Sequence, residues 1–255
     1  MKVSNSIIYI LLLILSSSLH AEQAPDPFKS GMWNYVKSKY IGEAPYVFDD
    51  KVKVNGPEFA ENSSQVPISI DASKLAVTSI QKIIVFVDFN PISHILTFTP
   101  KKNIRPTFST KIKLQQPSPV RAAVLDANGI WHIGGSFIKT SGGGCTTPPD
   151  NSTVESLASL LKIKTHTIQK AEYTKIKFKT FHPMNTGLSM GAHKFHMNNL
   201  EIFNEDNELI AQLDITAAVA QDPAFSFVSD EVKNKYTIKI KDSKGNEAFK
   251  NIVAK

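Results

Sequence analysis

Three observations predict an all-β fold. Apolar and polar residues alternate over short stretches, turn-forming residues separate those stretches, and helical periodicity occurs at one place near the N-terminus. Short strands punctuated in this way, without helices between them, fit antiparallel sandwiches of the immunoglobulin type. The 255 residues leave room for two such units of roughly 100 residues each. The expected architecture is two immunoglobulin-like β-sandwich domains joined by a Gly/Pro linker, with a short N-terminal helix.

Residues 1–21 read as a cleavable signal peptide. Lys2 gives a basic start, Ile7 to Leu15 is an unbroken apolar run, and Ala21 is a small residue suited to signal peptidase. The run is about half of what a membrane-spanning helix needs. No Arg-Arg pair precedes it, so the general secretory route is expected, which exports chains unfolded and without a cofactor aboard. The mature chain is expected to start near Glu22, to be periplasmic and to lack a membrane anchor.

The first domain is expected over 22–140. Phe28, Met32, Trp33, Val36 and Tyr40 recur at helical spacings, which predicts a short helix carrying an aromatic lid for a core. Val66-Pro67-Ile68-Ser69-Ile70 alternates, Ile80 to Phe89 is apolar on both faces as in a central strand covered by two layers, and Ser109 to Leu114 alternates again. Val120 to Leu125 and Ile130 to Ile138 flank Asp126-Ala127-Asn128-Gly129, a hairpin whose turn residues accept positive φ.

Residues 141–152, rich in glycine, proline, serine and threonine, carry no strand pattern and read as a linker. A second sandwich is expected over 153–255, from alternation in Thr174 to Thr180, Phe195 to Phe203, Glu208 to Ile215 and Tyr236 to Lys241. Asp242-Ser243-Lys244-Gly245 turns the chain into a last strand through Phe249 and Ile252. Ala217 to Ala220 is too short to predict a helix.

The net charge of +6, or +5 without the signal peptide, does not indicate nucleic-acid binding. Lysines stand singly in alternation, as in Lys175-Ile176-Lys177-Phe178-Lys179, the pattern of a strand's wet face. Arg105 and Arg121 are the only arginines, and nucleic-acid recognition leans on arginine forks.

The one cysteine, Cys145, follows Ser141-Gly142-Gly143-Gly144 and has no internal disulfide partner. Three glycines predict a mobile tether with an exposed thiol, a handle for an enzyme to modify. The plain alternative is a stray cysteine in a tolerant linker. Catalysis by Cys145 is not expected, because a cysteine nucleophile needs a rigid support and a histidine in reach. A separate cluster, His182, Met184, Met190, His193 and Met197, contains soft and imidazole ligands that could hold copper. The bland reading is a structured turn whose other groups line a strand pair.

Val66-Pro67-Ile68-Ser69-Ile70, Val87-Asp88-Phe89-Asn90-Pro91, Ser109-Thr110-Lys111-Ile112, Val120-Arg121-Ala122 and the closing Gly-Gly-Gly-Cys resemble SoxY, the sulfur-carrying subunit of periplasmic thiosulfate oxidation. Phe181-His182-Pro183-Met184 with Thr186-Gly187, then Phe195, Gln221-Asp222-Pro223-Ala224-Phe225 and Lys241-Asp242-Ser243-Lys244-Gly245 resemble SoxZ, its partner subunit. The order is that of the SoxYZ-like carriers associated with quinoprotein dehydrogenases. The resemblance implies a carrier rather than an enzyme, with a thiosulfate-derived sulfur intermediate held covalently on Cys145 at the tip of a swinging arm. Its implied partners are sulfur-oxidation enzymes or proteins of a quinoprotein dehydrogenase system. A binding accessory of such a dehydrogenase, with no covalent cargo, is the alternative. Here Thr146-Thr147-Pro148-Pro149 follow the thiol, so the arm is a loop anchored at both ends, with a reach of about 18 Å at ~3.3 Å per residue.

Overall fold

The computed structural model describes residues 24–76, 79–148 and 159–253. The expected signal peptide lies outside the described residues, as do residues 149–158, which include the distal part of the expected linker.

Helix α1 spans Trp33–Tyr40, where the aromatic periodicity predicts it. Asp26 organises the preceding turn by accepting the Ser30 N–H at 2.8 Å. The helix ends at Gly42, whose φ of 66° lets its N–H reach back to the Lys37 carbonyl at 3.0 Å.

The first half supplies β1 (Tyr46–Phe48), β2 (Lys53–Asn55), β3 (Phe59–Ala60), β4 (Val66–Asp71), β5 (Ile80–Val87), β6 (His94–Pro100), β7 (Ile104–Ile112), β8 (Ser118–Asp126) and β9 (Trp131–Thr140). The second half supplies β10 (Ile163–Gln169), β11 (Thr174–Thr180), β12 (Met197–Asn204), β13 (Leu209–Ile215), β14 (Ala224–Ser229), β15 (Lys235–Asp242) and β16 (Glu247–Val253). One sheet runs β1-β9-β8-β5-β6-β13-β12-β15-β16, with β3 also paired to β9, and the other runs β10-β11-β14-β7-β4-β2. Among the described residues the chain is therefore all-β with one short helix, and each half is a two-layered sandwich.

The halves are more than tethered. β6 pairs with β13, Phe98 opposite Leu213, and β14 pairs with β7, Phe227 opposite Phe108, so both layers run without a break across the seam. Phe98 lies 5.2 Å from Phe108 and 5.6 Å from Phe227, centroid to centroid, and all three rings are buried. Each fully buried ring of this kind contributes about 1.5–3 kcal/mol. The seam strands β6 and β14 are absent from the sequence-based expectation, as is β10.

Strand β5 shows why its sequence is apolar on both faces. Ile83, Val85 and Val87 enter the core between the sheets, while Ile84 and Phe86 face Trp33 and Val36 of α1. The stretch Ala217 to Ala220 is not a helix. It lies against the end of β7, with the Ala220 N–H on the Lys111 carbonyl and the Lys113 N–H on the Ala218 carbonyl, at 3.0 and 2.8 Å. Among the described residues no helix is long and apolar enough to cross a membrane.

Candidate functional site

The glycine arm leaves β9 and docks on the segment that follows β7. Gly143 N–H donates to the Gln115 carbonyl at 2.9 Å and Gly144 N–H to the Leu114 carbonyl at 3.0 Å. The Cys145 N–H donates to Gln115 Oε1 at 3.2 Å, and the Ser63 hydroxyl donates to the Gly142 carbonyl at 2.6 Å. The acceptor segment is itself held by Asn90, which donates to the Lys113 carbonyl at 2.7 Å and accepts the Gln115 N–H at 2.8 Å. From the other half, the Thr186 hydroxyl donates to the Cys145 carbonyl at 2.7 Å.

Each of the three glycines answers a demand of this docked form. Gly142 and Gly143 have φ of 90° and 84°, a region that residues with a Cβ rarely adopt. At Gly144 an added Cβ would stand 2.1 Å from the Ser63 carbonyl oxygen and 2.7 Å from that of Leu114. The expectation of a mobile tether with an exposed thiol is thus corrected. Gly142 to Cys145 are packed down between exposed Ser141 and Thr146, and Cys145 is 0% exposed.

Beside the thiol lies a charge that sequence reasoning missed. The alternation through Ser109 to Leu114 puts Lys113 on the wet side with Lys111, yet Lys113 is buried. Residues of the second half cover it: Lys113 Nζ donates to the Met184 carbonyl, and to the Ala217 carbonyl at 3.0 Å. Burial pushes the Lys113 ammonium down to about 8, and the Cys145 thiolate, when formed, would support its charge. Burial likewise pushes the Cys145 thiol up to about 11, against the opposing pull of Lys113. At neutral pH the docked thiol therefore keeps its proton while most Lys113 keeps its charge.

The five residues of the copper expectation are divided. His182, Met184 and Met197 are buried, whereas Met190 is fully exposed and His193 lies on the surface. Two of the buried three already have a ligating lone pair engaged. His182 Nδ1 accepts the Met184 N–H at 3.0 Å, and Met184 Sδ accepts the Met197 N–H at 3.3 Å. That places the His182 proton on Nε2, which is 3.8 Å from Asp242 Oδ2. Burial holds His182 down at about 4, despite the Asp242 carboxylate, so it is neutral near pH 7. Among the described residues no group of three or more His, Cys, Asp or Glu side chains is placed to hold a metal ion.

A cavity of about 890 Å³ adjoins the docked arm at the seam. Thr147 and Pro148 of the arm line it, with Lys111, Lys113, Lys179 and Thr186. Among the missed residues, Asn90 stands in the Val87-Asp88-Phe89-Asn90-Pro91 motif and Thr186 in Thr186-Gly187, so their position was visible although their role was not. Ser63 and Gln115 carry no local signal, because their partners are distant backbone groups.

Residues 37–145 match the family model of sulfur oxidation protein SoxY, and residues 163–252 match that of sulphur oxidation protein SoxZ. The first match ends on Cys145. No curated protein matches the chain. Among solved structures, the sulfur carrier protein SoxY from Chlorobium limicola f thiosulfatophilum is similar at 16% identity and a TM-score of 0.38, over 43% of this chain and 96% of that one. With the two matches in tandem and spanning most of its length, the chain belongs to the SoxY and SoxZ sulfur-oxidation families as a SoxY–SoxZ fusion carrier.

Proposed function

We propose that this protein is a periplasmic, non-catalytic carrier that holds a thiosulfate-derived sulfur group on Cys145 and presents it to sulfur-oxidation enzymes. The observation that carries the reading is the position of Cys145. It is the last residue of the SoxY match and sits on a glycine arm that the SoxZ half clasps through Thr186. The partner class follows from the Sox-family domains.

Loading is an oxidative coupling. The S–H bond of Cys145 and the outer sulfur of thiosulfate give Cys145–S–S–SO3⁻, one proton passes to water and two electrons pass to an oxidising partner protein. A docked, protonated thiol is a poor nucleophile, since the thiolate is the reactive form. Undocking returns it to water and lowers its pKa toward the ordinary value. After loading, the adduct carries a negative charge, for which the Lys113 ammonium supplies a countercharge in the docked arm.

The test is intact-mass measurement of the protein isolated without reductant, before and after incubation with thiosulfate and an oxidising periplasmic extract. The expected result is an increment of one S2O3 unit, about 112 Da, that reductant removes and Cys145→Ser abolishes. A thiol that stays bare under every loading condition overturns the reading. Location is tested by N-terminal sequencing of the periplasmic fraction, with Glu22 as the expected first residue.

A further inference from the structure

The outer face of the six-stranded sheet forms an open groove of about 920 Å³. Its floor is made of small polar residues brought into one row by strand register. Ser69 of β4 is opposite Ser109 of β7, Ser109 is opposite Ser226 of β14, and Ser226 is opposite Lys177 of β11. Three strands span two inter-strand spacings, or about 10 Å, which is enough for one extended chain to lie along them.

One wall is cationic. Lys175, Lys177 and Lys179 alternate outward along β11 while Ile176 and Phe178 point into the core. Lys164 of β10 stands directly opposite Lys179, although like charges in that position destabilise a sheet. Asp222 reaches Lys179 at 3.5 Å, but Lys111, Lys175 and Lys177 have no ion pair among the described residues. A merely solvated face would gain from acidic residues on the neighbouring strands, and here the residues opposite these lysines are Lys164, His166 and Ile168 on β10 and Ala224, Ser226 and Val228 on β14. Lys111, Lys179 and Ala224 line both this groove and the cavity beside the docked arm, so the basic surface runs to the site without a break.

We propose that this groove docks an extended acidic segment of a partner protein, with carboxylates at alternate positions against Lys175, Lys177 and Lys179. Outward side chains along a strand recur about every 6.6 Å, as do same-face side chains of an extended peptide, so the two charge patterns match. A small oxoanion would engage one or two of these lysines and leave the rest unmatched. Single-stranded nucleic acid would need aromatic faces for its bases, and the groove's Phe178 and Phe225 are turned inward and buried. Attraction between opposite charges on an open surface is sensitive to salt and brings the partner oriented to the edge that the groove shares with the cavity.

The test uses the full chain and a fluorescein-labelled decapeptide of alternating aspartate and serine, read by fluorescence anisotropy at low and near-physiological ionic strength. Controls are a block peptide of the same composition and an oligothymidylate of equal charge. The expected result is tighter binding of the alternating peptide than of either control. Lys175→Glu/Lys177→Glu should weaken it at least tenfold, with Lys175→Gln/Lys177→Gln in between. Lys101→Glu/Lys102→Glu, in the β6–β7 turn, should leave it unchanged, and so should Cys145→Ser, which separates this site from the carrier role. Equal loss in the turn variant, indifference to both groove variants, preference for the oligonucleotide, or competition by millimolar thiosulfate alone would each overturn the proposal. Circular dichroism of the Gln variant establishes that a loss of binding is not a loss of fold.

Discussion

The Thr186 hydroxyl donates to the Cys145 carbonyl at 2.7 Å, so a residue of the SoxZ half holds down the thiol-bearing residue of the SoxY half. The same hydroxyl accepts the Leu188 N–H at 3.2 Å, which ties the clasp to the surface loop after it. Thr186→Val keeps the shape and removes the clasp. A single hydrogen bond of this kind contributes about 1 kcal/mol, which corresponds to roughly a fivefold rise in the undocked fraction. The thiol of Thr186→Val is expected to react about that much faster with an aromatic disulfide reagent at pH 7. An unchanged rate would mean that the clasp does not hold the arm.

Gly144→Ala tests the docked conformation from the other side. The new methyl group meets backbone, the Ser63 carbonyl oxygen at 2.1 Å, and backbone cannot turn away as a side-chain tip can. Overpacking of this sort costs about 1–3 kcal/mol, all of it charged to the docked arm. Thiol reactivity in Gly144→Ala should approach that of the urea-unfolded protein while the thermal midpoint barely moves. A buried, slow thiol in this variant is incompatible with the packing described.

Much of the fold was legible because burial in these sandwiches alternates with period two. Strand β11 reads directly as Lys out and Ile or Phe in, and β5 announces its two covered faces. The seam was not legible. Strand β14 alternates cleanly, but its pairing with β7 joins residues more than a hundred positions apart, and local pattern says nothing about which edges meet. Lys113 was hidden for the same reason, since its burial is imposed by Met184 and Ala217 from the second half. The glycines were seen but misassigned. Positive φ and close backbone approach need glycine as much as mobility does, and only the partners Ser63 and Gln115 decide between those uses.

Arg121 predicts the largest stability effect. Its side chain is 0% exposed and forms paired hydrogen bonds with two carboxylates, Asp88 at 2.9 and 2.9 Å and Asp26 at 2.7 and 2.9 Å. Phe28 and Trp33 cover its faces at 4.9 and 4.6 Å. Asp88→Asn leaves a buried guanidinium without its innermost counterion, a loss of about 3–5 kcal/mol. The expected readout is a lower urea midpoint with an unchanged m-value. Burial works to raise the Asp26 pKa, but the Arg121 and Ser30 hydrogen bonds outweigh it and hold the group below its ordinary value. Its contribution is thus present above about pH 4 and lost as pH falls through the lowered pKa. Asp26→Asn is expected to cost less than Asp88→Asn and to flatten the acid limb of the stability profile.

The pH dependence of the thiol tests Lys113. Burial raises Cys145 from 9.0 to about 11, so the docked arm retains a proton that the free arm gives up. The stabilisation this lends to docking is complete below pH 9 and is lost as pH climbs toward 11. Alkylation by iodoacetamide should therefore rise more steeply with pH over that window in the folded protein than in the unfolded one. Lys113→Met removes the one charge that pulls the thiol's pKa down. The docked thiol then keeps its proton, and the arm its docked position, to higher pH. The variant's alkylation at pH 8 should match that of the native protein, with its inflection displaced upward. Faster alkylation at an unchanged unfolding midpoint would show instead that the Lys113 hydrogen bonds to Met184 and Ala217, rather than its charge, are what keep the arm in place.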